Sequence, residues 1–480
     1  MFNNMTVSSA ATPLCVDLDG TLIHSDLLFE SALALVAEQP LVLLQLPFWL
    51  LRGKAYLKEQ IAGRVEINVA RLPYRADLLD YLHQERKAGR RIVLATASHR
   101  RFAEAIAAHL GLFDLVLATE GERNLSGATK ARCLVEAFGE RGFDYAGNER
   151  KDMKVWAVAR QAVLVDVSAA LEKDALDLIP VAARYKSPPR SWTQYARAMR
   201  PHQWLKNLLI FLPLLAAHRV TEMDLLGRAT LAFLAFGFCA SSVYVLNDLL
   251  DLPSDRLHPR KRRRPFAAGQ ASILTGLLMI PSLLAIGFGL ALTLPQLFFA
   301  SMVGYYITTL AYSLWAKRRV VIDVMFLGGL YTIRLLAGAA AVEISPSFWL
   351  VAFSMFLFFS LALVKRYSEL LAVRNTGNDK ASGRGYLTSD LPILPALGAA
   401  SGYMAVMVLA LYINSPDIMK LYRSPQAIWL LCPVLLFWIS RIWFKAQRGE
   451  LHDDPLVFAI TDRLSQVMGV VCMIVIALAA

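Results

Sequence analysis

Cysteine is scarce. The 480 residues hold five, Cys15, Cys133, Cys239, Cys432 and Cys472, with no paired spacing. That scatter excludes a disulfide framework read from spacing and suits reduced, mostly buried thiols. The N-terminus, MFNNMTVSSAATP, lacks a basic stretch followed by an apolar core, so no signal peptide is expected. The first domain is therefore expected to remain in the cytosol. No RNA- or DNA-binding signature accompanies the net charge of +12, which excludes nucleic acid as a partner. Charged residues make up only 18% against 56% hydrophobic, an average over two unlike halves. Up to about residue 195 the pattern is that of a soluble domain; beyond it, apolar runs of about 20 residues dominate. Most of the basic excess lies between those runs, where it sets orientation and can meet anionic lipid or phosphate.

The rest of the chain is organised around Tyr244 to Gly269, YVLNDLLDLPSDRLHPRKRRRPFAAG. Asn247, Asp248, Asp251 and Asp255 recur at helical spacing, so a helix gathers the three carboxylates on or near one face where it leaves the bilayer. A helix C-terminus already carries partial negative charge, so these acids call for a cation. Mg²⁺ takes one or two carboxylates together with substrate phosphates. Arg256, Arg260, Lys261, Arg262, Arg263 and Arg264 follow as phosphate partners. A metal-bridged pyrophosphate fits both halves of the stretch; a solvated helix end followed by a topology signal is the alternative.

In the soluble half, CVDLDGTLIHSD places Asp17, Asp19, Gly20 and Thr21 where a buried strand ends in a loop. One carboxylate can attack phosphorus while the other, two residues on, moves the proton. The motif resembles that of the haloacid dehalogenase phosphohydrolase superfamily, which implies an α/β Rossmann-like domain with a helical cap. Three further motifs follow in order. RIVLATASHR supplies Thr96 and Ser98, SGATKARC supplies Lys130, and FDYAGNERKDMKVW supplies Asp152, with Asn148 where the resemblance leads one to expect an acid. The resemblance implies Mg²⁺ held by Asp17, Asp19 and Asp152, with the Asn148 departure weakening that site. The expected domain spans 1–186, with a cap at about 26–75. Within the cap, Pro40 to Leu51 is apolar but too short to span a membrane. Docking onto the bilayer or the membrane half, with Arg52, Lys54 and Lys58 meeting headgroups, and burial as a cap core are the two readings.

A Pro- and base-rich linker, 187–199, leads to a membrane domain at 200–480. MRPHQWLKN brings Arg200, Gln203, Trp204, Lys206 and Asn207 to the first apolar run. Runs near 205–218, 227–249, 272–293, 295–314, 321–342, 348–366, 391–413, 426–444 and 462–479 predict an all-α bundle of about nine transmembrane helices, the first rather short. The basic loops then share one side with the soluble domain. YSLWAKRRVVIDV places Tyr312, Lys317, Arg318 and Asp323 on that side. Arg334 falls in mid-span, tolerable only in a wet, paired interior. Lys365, Arg366 and Glu369 close the sixth run, and Gly377 to Gly385 reads as a plain loop, with a flexible lid as the alternative.

NDxxDxxxD, the basic run, RPxAxG and the bundle together resemble the UbiA-type membrane prenyltransferase superfamily over about Arg200 to Ala480. RPxQWxKN, YSxxxK with a following DV, and KRxxE are similar to the decaprenyl-phosphate phosphoribosyltransferase branch. Loop 4–5 lacks a second DxxxD-type motif, which favours that branch over aromatic prenyltransferases. The resemblance implies phosphoribosyl pyrophosphate as donor and a polyprenyl phosphate as acceptor. It implies Mg²⁺ at Asn247, Asp248 and Asp251, with Asp255 a further candidate, and phosphates on Lys206, Arg262, Tyr312 and Lys317. Asn207, Arg334 and Lys365 complete the expected substrate site. The fused phosphatase would remove the 5-phosphate of the lipid-linked product, a precursor for ribose or arabinose. The rivals are an aromatic prenyltransferase and a lipid transporter with an inert soluble domain.

Overall fold

The computed structural model describes residues 12–479 except 122, 189–190, 259, 378, 380–383, 416–421 and 452–453. It has two compact units, Met1–Ala198 with Val245–Leu278, and Met199–Tyr244 with Met279–Ala480. The Gly377–Gly385 loop falls largely outside the described residues.

The first unit is built on six parallel strands: β1 (Leu14–Val16), β2 (Ile92–His99), β3 (Leu115–Thr119), β4 (Asp144–Gly147), β5 (Ala162–Val165) and β6 (Val181–Tyr185). Their order is β3-β2-β1-β4-β5-β6. Every residue of β1 and β5 is buried, as a sheet covered on both faces requires. Leu14 and Val16 point to one core with Leu94 and Val163, while Cys15 points to the other with Val93, Tyr145 and Leu164. β6 lies at the end of the expected domain, just before the linker. Its half-exposed, alternating residues are those of a sheet edge and carry a weak apolar signal.

Between β1 and the Ala76–Lys87 helix lies the helical cap. Asp26 caps the Leu27–Glu38 helix, its carboxylate accepting from the Leu28 and Phe29 amides. Pro40 and Pro47 then split the apolar stretch into a 3₁₀ turn, Pro40–Leu44, and a short helix, Leu46–Leu51. Val42 and Trp49 join the core, but Leu41, Leu43, Leu44, Phe48, Leu50 and Leu51 are exposed. The stretch is therefore not a buried cap core.

Val245–Leu278 belongs to the same unit, and its contacts explain why. Arg256 makes a two-pronged ion pair with Glu30 at 2.6 and 2.7 Å, both side chains buried. Gly269 has a positive φ, and a Cβ there would meet the His24 Cβ at 2.8 Å. The Tyr195 hydroxyl accepts from the Ser272 amide.

Among the described residues, seven helices are long and apolar enough to cross a membrane: Met223–Leu250, Ile273–Ala291, Gln296–Arg318, Ile322–Ala341, Phe348–Asn375, Ile393–Ile413 and Pro425–Gln447. The bent pair Pro455–Thr461 and Arg463–Ala479 makes an eighth if it counts as one span. The first expected run is instead a 3₁₀ helix, Pro201–Phe211, and a short α-helix, Leu212–Ala216, broken at Pro213. Its Ile210 backbone lies against Gly338, where an added Cβ would come within 2.1 Å of the Ile210 carbonyl oxygen. Small residues allow the same close approach at Gly398 with Trp443 and Gly402 with Ile439, as in other membrane bundles.

Candidate active sites

The first site stands where β2, β1 and β4 end side by side. Asp17 follows β1, Thr96 and Ser98 lie near the end of β2, and Asn148 follows β4. This is the point of an open α/β sheet at which crossovers part to either side, leaving a crevice. Asp17 Oδ1 accepts from the Leu18 amide at 2.9 Å and from Lys130 Nζ at 2.8 Å. Lys130 also donates to the Tyr145 hydroxyl, which donates to Asp152. The Asp19 carboxylate accepts from the Leu27 amide at 2.7 Å and the Ser98 hydroxyl at 2.7 Å. Thr96 Oγ1 accepts from the Ser98 amide and so orients that serine. The expected residues thus converge.

Burial pushes the Asp17 carboxyl up to about 6, against the pull of Lys130. Burial, with Asp26 and Asp17 nearby, raises Asp19 to about 7. Near neutral pH one carboxylate can be ionised for attack while its neighbour keeps a proton to give.

The acid expected near β4 behaves differently from its role as a metal ligand. Asp152 Oδ2 accepts from the Asn148 and Glu149 amides, and Oδ1 from Tyr145, so it acts as a cap in this structure. Asn148 Oδ1 instead accepts from the Thr21 hydroxyl, and its amide nitrogen lies 2.2 Å from where a Gly20 Cβ would be. Only glycine, with its positive φ, fits there. Oxygen donors suited to Mg²⁺ remain in Asp17 and Asn148, one acid fewer than expected. Lys58, expected among the cations that meet headgroups, is instead turned into the hydrolase domain. From the cap helix Lys54–Ala62 it donates to the Ala97 carbonyl and to Asn124 Oδ1, reaching the end of β2. It lines a small cleft with Leu27, Ser31 and Ser98. Its signal, one lysine two turns past an apolar run, is local to nothing.

The second site is the acidic helix end. The Met223–Leu250 helix stops just before Asp251, which begins a short Leu252–Leu257 helix. The backbone still bonds Asn247 O to Asp251 N and Asp251 O to Asp255 N, so the helical spacing survives the break. Asp248 and Asp255 are both buried and share the Arg264 guanidinium, 3.0 and 2.5 Å away. Burial raises the Asp255 carboxyl, against the pull of Arg264. Among the described residues no three His, Cys, Asp or Glu side chains are already grouped to hold a metal. The donors are nonetheless hard oxygens, and a cation already sits between two of them. Two bases expected for phosphate, Arg256 and Arg264, are engaged by protein carboxylates, while Arg262 is exposed.

In the second unit, Lys206 and Lys365 donate to Asp454 Oδ2 at 2.8 and 3.0 Å, and the Tyr331 hydroxyl donates to Oδ1 at 2.9 Å. Asp454 was not foreseen; an acid just before Pro455 caps a helix, and that local signal hides its long-range partners. Asn207 and Arg334 are brought to each other instead. Arg334 donates to Asn207 Oδ1 at 3.0 Å, the Tyr305 hydroxyl at 2.9 Å and the Leu330 carbonyl, which satisfies a buried guanidinium. Asp323 is wholly buried against Arg366 and accepts from the Tyr386 hydroxyl. Tyr312 accepts from Arg384 at 2.8 Å, and Lys317 is half-buried on the loop that follows.

Comparison with known proteins gives a family to each part of the chain. Residues 208–461 match the UbiA prenyltransferase family and residues 14–161 the haloacid dehalogenase-like hydrolases. "Uncharacterized protein y4nM" of Sinorhizobium fredii is 37% identical over 95% of this chain and 89% of its own. Nodulation protein NoeC of Azorhizobium caulinodans is 39% identical over 59% of this chain and 91% of its own. Decaprenyl-phosphate phosphoribosyltransferase of Mycolicibacterium smegmatis is 30% identical over 62% of this chain and 95% of its own.

Proposed function

The chain belongs to the UbiA prenyltransferase family, and from that premise we propose that it moves 5-phosphoribosyl from phosphoribosyl pyrophosphate to a polyprenyl phosphate such as decaprenyl phosphate. The observation that carries this reading is the fate of two further acids. Asp323 is neutralised by Arg366, and Asp454 by Lys206 and Lys365. Among the described residues beyond the helix end, these acids are held by cations, and the lysines beside Asp454 can serve phosphate. The name of the Mycolicibacterium relative points the same way.

Asn247, Asp248, Asp251 and Asp255 would hold Mg²⁺, which when bound neutralises charge on a departing pyrophosphate. Lys206, Lys365, Tyr312, Lys317 and Arg262 bind phosphates, the first two by exchanging Asp454 for a substrate oxygen. A phosphate oxygen of the polyprenyl acceptor forms a bond to the anomeric carbon as the bond to pyrophosphate breaks. The basic loops support a bacterial inner-membrane location with the soluble unit on the cytoplasmic side.

The hydrolase domain then acts on the product. Asp17 attacks the 5-phosphate while Asp19 protonates the leaving ribosyl oxygen, and water releases phosphate from Asp17. Lys130 holds Asp17, and Ser98 holds Asp19. Tethering places product and hydrolase at high effective concentration.

Labelled donors, phosphoribosyl pyrophosphate or an isoprenyl diphosphate, supplied with polyprenyl phosphate, test this. Wild type is expected to release pyrophosphate from the first alone, Asp248→Ala to lose at least about 10³-fold of that rate, and Asp17→Asn to accumulate the phosphorylated lipid. Turnover of the isoprenyl donor instead would overturn the donor assignment. Identical lipid products from wild type and Asp17→Asn would overturn the second step.

A further inference from the structure

The apolar face of the cap has a stated place to go. Leu41, Leu43, Leu44, Phe48, Leu50 and Leu51 are exposed, Leu41 to 79% and Leu51 to 85%. A soluble surface seldom gathers six large apolar side chains within eleven residues. Val42 and Trp49 fasten this segment to the core beneath, so the face is presented rather than frayed. Cations ring it. Arg52 lies over the Tyr56 ring at 3.9 Å and donates to its hydroxyl, Arg64 lies over the Trp49 ring at 4.9 Å, and Lys54 is exposed beside them. Guanidinium groups held against aromatic rings at the edge of an apolar face match anionic headgroups above acyl chains.

The same unit contains the ends of two membrane-length helices. The cap helix Leu27–Glu38 meets the segment between them through the buried Glu30–Arg256 pair, and His24 lies against Gly269. The cap is therefore joined to the segment that links those two helices.

We propose that Leu41–Leu51 is a monotopic anchor that inserts into the lipid monolayer, its basic rim seated on anionic headgroups. The next helix carries Lys58 to the end of β2, so insertion turns the hydrolase cleft toward substrates that lie in the membrane plane. Insertion itself does not depend on the substrates assigned above.

The test uses the full chain in bilayers of phosphatidylethanolamine and phosphatidylglycerol. With Cys133 and Cys472 replaced by Ser, spin labels are placed at Phe48→Cys, Leu51→Cys and, as a control, at Leu178→Cys on the exposed end of another helix. Collisions with oxygen, which partitions into lipid, are compared with those of an aqueous nickel chelate. At 48 and 51 the oxygen-to-nickel ratio is expected to exceed the control at least about fivefold. Placing Leu44→Glu and Leu51→Glu in the Phe48→Cys chain is expected to abolish that excess with unchanged thermal unfolding, since both positions are exposed. Labels as open to nickel as the control would overturn the proposal. So would labels shielded from both reagents, which would mean that a second copy or another protein surface covers the face.

Discussion

Two sets of buried carboxylates in this chain are held in opposite ways. At the strand ends, Asp17 and Asp19 take fixed donors from four different places: the Leu18 and Leu27 amides, Ser98 and Lys130. Backbone amides and a wholly buried lysine cannot leave. At the helix end, Asp248 and Asp255 share a partly exposed side chain, Arg264. An arginine on a loop can swing away and give its place to a doubly charged ion. Rigidity suits a nucleophile that must be aimed; exchangeability suits carboxylates that must accept a cation together with its diphosphate.

Breaking the rigid set gives the largest effect. Lys130→Met leaves Asp17 without its charged donor, and hydrolysis of a phosphomonoester is expected to fall about 10³-fold, while pyrophosphate release stays within about twofold. Equal losses in both assays would erase the distinction between the sites. Proton traffic sharpens it further. Asp19, raised to about 7, donates only while protonated, so hydrolysis is expected to decline roughly tenfold per pH unit above about 8. The sign follows from the acid role: raising pH removes the proton that must be given. Asp19→Asn should flatten that limb in a pH–rate profile. The smallest change probes the exchangeable set. With Arg264→Gln the carboxylates lose their resident cation, and the Mg²⁺ concentration giving half-maximal pyrophosphate release is expected to drop several-fold. A rise would mean that Arg264 holds substrate rather than competing with metal.

How much was legible in the chain follows range of interaction. DxDGT could be placed because a buried strand and the turn after it are written in consecutive residues, and the structure puts Thr96, Ser98 and Lys130 beside it. The helix-end acids were legible for the same reason: their spacing is one helix's own period. Arg256 was grouped with phosphate ligands because it opens a basic run, yet its partner Glu30 lies 226 positions away. Asp454 escaped because it meets Lys206 and Lys365 only once the bundle has closed. The first apolar run was expected to span. Two prolines and a buried Lys206–Asn207 pair turned it into a 3₁₀ segment seated against Gly338.

The Glu30–Arg256 pair bears on how such a chain can be inherited. Arg256 stands next to Asp255, and Glu30 stands in the first turn of the helix that follows the acids of the strand end, so each catalytic sequence is accompanied by half of a buried charge pair. Either half alone would leave an uncompensated ion in a poorly hydrated place, at about 3–5 kcal/mol. Within this chain, separating the two sequences would therefore leave Glu30 unmatched on one product and Arg256 unmatched on the other.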